Sequence, residues 1–294
     1  MSTRLRRLLT RTAVLAAATV LLAGCGGDAT PATQPDQSKV VAELRNMLPE
    51  EITKDNKLDV ATSLYPPVDY YESDGKTLTG FDYEIMEAIA ERLGVTIKWH
   101  VIDFAAIIPG IESGQYDLAT DVNDTAEREK VVDFVTEFRD GTSILVPKGN
   151  PKGLSDLASL CGHTVVVTKG STQIALIDKQ NASCEQPITR MEVPDDPDAM
   201  LAMRNGRADA YLVNTLAGSY AVEKGGQEGF ELLPGVYDEV YAGLVFPKHA
   251  TQLRDAMRAA IQSIIDDGTY DRIMDSYGLS RNKIDKALVN AATS

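Results

Sequence analysis

Residues 117–134 read DLATDVNDTAEREKVVDF, and this stretch decides how the rest of the chain is read. A strand runs into a loop, and Thr125 is a good N-cap for the turn after it. With Thr125 as the cap, Arg128 falls in the first turn, beside the positive end of a helix dipole. Such a placement costs roughly 0.3–1 kcal/mol unless something anionic sits there. An arginine at that point implies an anion to be held.

The helix before this strand closes on Gly114, and Asp117 comes next in the order Gly-x-x-Asp into a strand. The same order recurs at Gly206 and Asp209. Between and around these points strands and helices alternate, the pattern of mainly parallel sheets flanked by helices. Strands are expected at 58–62, 116–120, 163–168, 208–213 and 241–246. A short helix carries Val41, Leu44 and Leu48, and Asp82 caps a helix whose apolar face is Ile85, Ile89 and Leu93, ended by Gly94. Another runs from an Asp103 cap to Gly114 with a kink expected at Pro109. Ser155 caps a helix ending at Gly162, residues 170–172 open the next, and Asp196-Pro197 makes a cap-plus-first-residue start. Helices at 252–265 and from Tyr270 complete the chain, and two similar α/β lobes is the economical reading.

At the other end, Arg4, Arg6, Arg7 and Arg11 precede an apolar stretch at 13–23, the order of an export signal and too short to span a bilayer. Leu22-Ala23-Gly24-Cys25 resembles a bacterial lipobox, which implies cleavage before Cys25 and lipid on its sulfur. Residues 1–24 are then the signal peptide and 25–38, rich in Gly, Ala, Thr, Pro and Gln, a flexible tether. Removing the four signal arginines from 29 basic residues, against 43 acidic ones, leaves a mature balance of −18. No basic stripe exists for nucleic acid. With Cys25 given to lipid, Cys161 and Cys184 remain. In an exported protein two such thiols usually pair, the closed loop being worth about 3 kcal/mol, with two free buried cysteines as the alternative. His100, His163 and His249 form no ligand cluster, so neither a metal nor a cofactor is expected.

The motifs Tyr65-Pro66-Pro67, Gly80-Phe81-Asp82, AIAERLGV at 88–95, FAAIIP at 104–109, SGQYDL at 113–118, TAER at 125–128, KGST at 169–172, GRAD at 206–209 and DGTY at 267–270 share one order and spacing. Together they resemble the family 3 extracellular solute-binding proteins, the polar amino-acid receptors of bacterial ABC importers. The resemblance covers nearly the whole chain after the tether. It implies a two-lobed periplasmic-binding-protein-like type II fold, each lobe a mainly parallel sheet, joined by two crossing strands near 138–142 and 241–243. Lobe 1 would take 39–138 and then 243–294 with the C-terminal helices, and lobe 2 would take 139–242. It further implies a monomer, tethered to the membrane only by its lipid, serving an ABC permease and its ATPase.

Carried over by position, the resemblance makes Arg128 the arginine that grips the ligand carboxylate, a task suited to a planar guanidinium fork. The alternative is an exposed pair with Glu127, Glu129 or Asp124. Asn123 and Thr172 would add backbone N–H groups, the latter at a helix start. Tyr65 and Phe104 would wall the ligand, although either could be ordinary core. Two departures matter. Asn214 stands where the family usually has an aspartate for the ligand ammonium, and Ser63 replaces a frequent acid after the first strand. Asp121 stands where glycine or serine is more usual, so the counter-charge is expected to have moved there, against the alternative that Asp121 caps a turn or pairs with Arg128.

The sequence therefore points to capture of a small zwitterion without chemistry. Two other functions stay open: a cyclic-dicarboxylate dehydratase, which the same fold hosts and which needs a general acid in the cleft, and a ligand sensor acting through a separate signalling protein.

Overall fold

A computed structural model describes residues 38–223 and 229–292. The expected signal peptide (1–24) and nearly all of the expected tether (25–38) lie outside those residues. Within 38–292 the described chain forms one compact unit.

The first half contains α1 (Ala42–Arg45), α2 (Glu50–Asp55), β1 (Lys57–Thr62), the small hairpin β2 (Tyr70–Tyr71) and β3 (Leu78–Thr79), α3 (Phe81–Leu93), β4 (Thr96–Val101), α4 (Phe104–Glu112) and β5 (Leu118–Asn123). Next comes β6 (Val132–Pro147), sixteen residues long, then β7 (Thr164–Thr168), α5 (Gln173–Asn181), β8 (Thr189–Val193), α6 (Asp196–Arg204), β9 (Ala210–Asn214) and α7 (Thr215–Glu223). The chain closes with β10 (Phe230–Leu232), β11 (Tyr237–Pro247), α8 (Thr251–Asp266) and α9 (Thr269–Ser276).

One sheet carries everything but the hairpin, in the order β4-β1-β5-β11-β6-β9-β7-β8, with β10 also on β6. The outer triplets β4-β1-β5 and β9-β7-β8 are each parallel. The two long central strands β11 and β6 run antiparallel to each other and to the triplet each one meets. Among the described residues they are the sheet strands shared by both halves. The fold is thus the two-lobed α/β type expected, and the proposed lobe boundaries at 138/139 and 242/243 fall inside these two strands.

The Gly-x-x-Asp repeat has one job in both halves. Gly114 and Gly206 take φ of +70° and +64°, the left-handed turn that ends a helix cheaply only with glycine. Three residues on, Asp117 Oδ2 accepts from the Asp59 N–H at 2.8 Å, and its own N–H donates to Asp59 O. Asp209 does the same to Thr164, its Oδ2 accepting at 3.0 Å. Each aspartate pins the start of the neighbouring parallel strand.

One layer of helices, α3, α8 and α9, covers one face of the first half, burying Ile85, Ile89, Leu93, Met257, Ile261 and Met274. On the opposite face α4 sets Ile107 and Ile111 against Val122, Phe134 and Val245. Leu176 and Ile177 of α5 pack over Val165 and Val167 in the second half. Each fully buried aliphatic side chain of this kind contributes roughly 1.5–3 kcal/mol. Cys161 and Cys184 are joined as a disulfide with Cα atoms 5.5 Å apart.

Several local features differ from the sequence expectation. Thr125 leads into a single 3-10 turn, Arg128–Lys130, rather than a helix, although Thr125 Oγ1 does accept from the Arg128 N–H at 3.3 Å. Three residues carry little macrodipole, so the position of Arg128 has to be explained by its side chain. Asp82 is no cap: it lies inside α3, fully buried, and Gly80 precedes the helix. Ser155 begins no helix, since only a 3-10 turn at Ala158–Leu160 forms there. The cap of α6 is Asp195, whose carboxylate accepts from Asp198 N–H at 2.9 Å, so Asp196 is already helical.

Candidate functional site

β5 ends at the meeting of the two halves, with every residue from Leu118 to Asn123 buried. Asp121 and Asn123 alternate with Thr120 and Val122, so the first pair shares the face toward a cleft cavity of about 170 Å³. Six of the seven residues expected to bind ligand come from the first half and the α5 start, and all six line this cavity: Tyr65, Phe104, Asp121, Asn123, Arg128 and Thr172. Asn214 of β9 lines it as well.

Arg128 is held by both halves. One guanidinium nitrogen donates to Asn123 O at 2.8 Å and the other to Gly170 O at 3.0 Å. Its guanidinium carbon lies 5.5 Å from the centre of the Phe104 ring. Burial lowers its pKa to about 10, with Asp124 and Asp121 opposing, which leaves it a cation at neutral pH. The acids that could have paired with it are otherwise engaged: Glu127 with Lys130, Glu129 with the Ala292 N–H, and Asp124 with the Ala291 N–H. Five guanidinium N–H groups less two leaves donors for an anion.

Asp121 is 6% exposed and has no hydrogen-bond partner among the described residues. Its φ is +62°, a backbone conformation open to glycine and strained for other residues by about 1–3 kcal/mol. That explains why glycine suits the position, and why an aspartate there calls for a reason. Burial first, and then Asp82, Asp69, Asp140 and Asp196, push its carboxyl well above the usual carboxylate range. An arriving cation would favour the ionised form.

Across the cleft, Asn123 Nδ2 donates to Thr172 Oγ1 at 3.1 Å, a second bond between halves. Asn214 is already occupied: its Oδ1 accepts from Gln173 Nε2 at 2.6 Å, and the same nitrogen reaches Thr142 Oγ1 at 3.1 Å. Tyr65 donates its hydroxyl to Asp140 Oδ2 at 2.5 Å, and Asp140 Oδ1 accepts from Leu216 N–H at the start of α7. The tyrosine that walls the cleft is therefore tied through the central strand to the second half.

Gln173, Thr168 and Tyr211 are cleft residues that sequence reasoning misses. Gln173 directly succeeds the KGST match, a signal that could have found it. Asp196 is legible in the sequence only as a helix cap. Among the described residues no His, Cys, Asp and Glu group is arranged to hold a metal, and no helix is long and apolar enough to cross a membrane.

With this geometry in view, residues 58–280 match the family model of bacterial extracellular solute-binding proteins, family 3. The chain belongs to that family. It is 30% identical over 260 residues to the arginine-binding protein ArgT of Corynebacterium glutamicum, covering 85% of this chain and 83% of the relative. It is 28% identical to the L-cystine-binding protein TcyJ of Escherichia coli, over 72% and 79% of the two chains. Among solved structures, an ancestral arginine-binding protein bound to arginine superposes with a TM-score of 0.70 at 29% identity, covering 76% of this chain and 98% of that one. These relatives are named as binding proteins, and this chain is a solute-binding protein rather than an enzyme.

Proposed function

We propose that the protein is the lipid-anchored, extracytoplasmic receptor of an ABC importer, capturing a small amino-acid-type zwitterion and passing it to a permease and its ATPase. The observation that carries the reading is that Arg128 and the unpartnered Asp121 line one cleft from the same short segment, offering a cation and an acid to opposite ends of one small molecule. Arg128 takes the carboxylate through its remaining N–H groups, aided by the Thr172 N–H at the α5 start. Asp121 takes the ammonium, since Asn214 is neutral and committed to Gln173. Tyr65 and Phe104 cover the ligand's apolar atoms. Lobe closure about β6 and β11 results from the ligand's higher affinity for the closed state. The names of the relatives, arginine- and cystine-binding proteins, support the same class of ligand. Cys25 supplies the anchor, and the receptor works as a monomer.

The experiment is native mass spectrometry of the purified protein for a retained ligand, and then a thermal-shift panel. A ligand at 100 times its Kd adds about 2.7 kcal/mol of stability. Amino acids raising Tm, with sugars and dicarboxylates inert, supports the reading; the reverse pattern defeats it. Loss of palmitate labelling in Cys25→Ala tests the anchor separately.

A further inference from the structure

After the last 3-10 turn, Ser280–Asn282, the chain runs back along β6 and reaches the Arg128 loop. Thr136 N–H donates to Leu288 O at 3.0 Å, and Leu288 N–H donates to Thr136 Oγ1 at 2.9 Å. Val289 bridges Val135 on the edge of β6 that β11 does not use. Asn290 anchors the segment: its Oδ1 accepts from Phe134 N–H at 2.8 Å, and its Nδ2 donates to Asp133 Oδ1 at 3.0 Å. The next two N–H groups both meet carboxylates. Ala291 N–H donates to Asp124 Oδ2 at 2.7 Å, and Ala292 N–H donates to Glu129 Oε1 at 2.9 Å.

Those two acids flank Arg128 in the sequence, and Asp124 is close enough for its charge to act on the guanidinium. Asp124 is 1% exposed, its backbone N–H is fixed on Tyr241 O of β11 at 2.8 Å, and its Oδ1 has no hydrogen-bond partner among the described residues. A buried carboxylate deprived of an N–H donor is costly unless it finds another, and the cation at hand is Arg128. Two guanidinium N–H groups are already spent on Asn123 O and Gly170 O, so an ion pair inside its own loop would take donors that a ligand needs. We infer that residues 288–292 are a strap that positions Arg128 for ligand capture, the N–H groups of Ala291 and Ala292 keeping Asp124 and Glu129 off its guanidinium. This rests on the reading of Arg128 as the group that grips the ligand carboxylate.

The test uses the full chain with Ala291→Pro and Ala292→Pro together, which deletes both donors and alters no cleft side chain. Calorimetry with L-arginine, L-glutamine and L-cystine should show about a 10-fold loss or more for each probe that the wild type binds, since all carry the same carboxylate. Adding Asp124→Asn and Glu129→Gln removes the competing charges and should return affinity to within about threefold of wild type; a tail that only braced the fold would not be rescued in this way. Ala292→Pro alone, which spares the donor to Asp124, should lose part of the affinity and serves if thermal melts show the double variant misfolded. A ligand-free readout comes from carbon-13 NMR of the Asp124 carboxyl, which burial raises to about 7 against the Ala291 bond, with Glu129 adding to the rise. Capture by Arg128 lowers that value in the proline variants, whereas simple loss of the Ala291 bond raises it further. Wild-type affinity in the double variant, a loss that the neutral side chains do not recover, or an upward Asp124 shift overturns the strap. Arg128→Ala binding as tightly as wild type would instead defeat the headgroup reading, whatever the proline variants do.

Discussion

The Arg128 guanidinium donates to the carbonyl oxygen of Gly170 at 3.0 Å, so a side chain of the first half grips the backbone of the second. The bond lies two residues before Thr172, whose hydroxyl is held by Asn123. The proposed anion capture and the contact between halves therefore share the same few residues, as a clamp that closes on its ligand would require.

Arg128→Ala removes both the interlobe bond and the charge-assisted donors, and should weaken ligand binding by at least about 1.5–3 kcal/mol. Arg128→Lys keeps the charge but cannot donate to Asn123 O, Gly170 O and a carboxylate with one planar fork. Calorimetry is expected to find both variants poor binders, with the lysine variant closer to alanine than to wild type.

Asp121 presents a trade between stability and binding. Replacing it by glycine relieves the strain of φ +62° and removes a buried, unpartnered carboxyl. Asp121→Gly should melt higher than wild type in the absence of ligand, by about 2–4 °C for each kcal/mol gained. The same variant should lose affinity by more than the ~1 kcal/mol of a neutral hydrogen bond. A variant that melts higher and still binds as well as wild type would show that the acid has no ligand role.

The buried acids set an unusual pH profile. Burial raises Asp140 and Asp196 to about 6, against the hydrogen bonds that each accepts. A folded pKa above the unfolded value favours the protonated native state, so this contribution is full below about 3.8 and lost as pH rises through 6. Asp133 works the other way: burial pushes its carboxyl up, but bonds from Lys248, Asn290 and Arg254 hold it lower overall, a contribution lost in stronger acid. The ligand-free protein should therefore melt highest near pH 5, lower at 7.5 and lower again below 4. Binding of a cation ionises the cleft acids, so affinity should rise between pH 5 and 7, with proton release measurable by titration in buffers of different ionisation enthalpy.

The Cys161–Cys184 disulfide closes a loop with a sequence separation of 23 beside the α5 end of the second half. The chain-entropy model gives it about 3 kcal/mol. A double serine variant should melt about 6–12 °C lower, on the same Tm scale, with ligand affinity nearly unchanged because no cleft residue borders the bridge.

Features written locally are legible in the sequence. Gly94, Gly114 and Gly206 each take positive φ where a helix ends, and the two Gly-x-x-Asp sites prove to be one structural device used twice. Arg128, Tyr65, Phe104 and Thr172 emerge from a pattern spanning the chain, and they lie together on one cavity. Features that depend on tertiary burial escape. β6 is visible only at its middle because Asp133, Thr136, Glu137 and Asp140 interrupt its apolar run, yet all four are buried. Asp82 and Asp196 look like helix caps because a single sequence cannot distinguish an acid capping a solvated turn from one folded inward.

That one cleft reads both charged ends of a free amino acid is tested most directly by calorimetry of the tightest-binding amino acid beside its methyl ester and its N-acetyl derivative. Removing either the carboxylate charge or the ammonium charge is expected to weaken binding by about 10-fold or more, as for charge-assisted bonds in an enclosed site. Derivatives that bind as tightly as the free amino acid would contradict it.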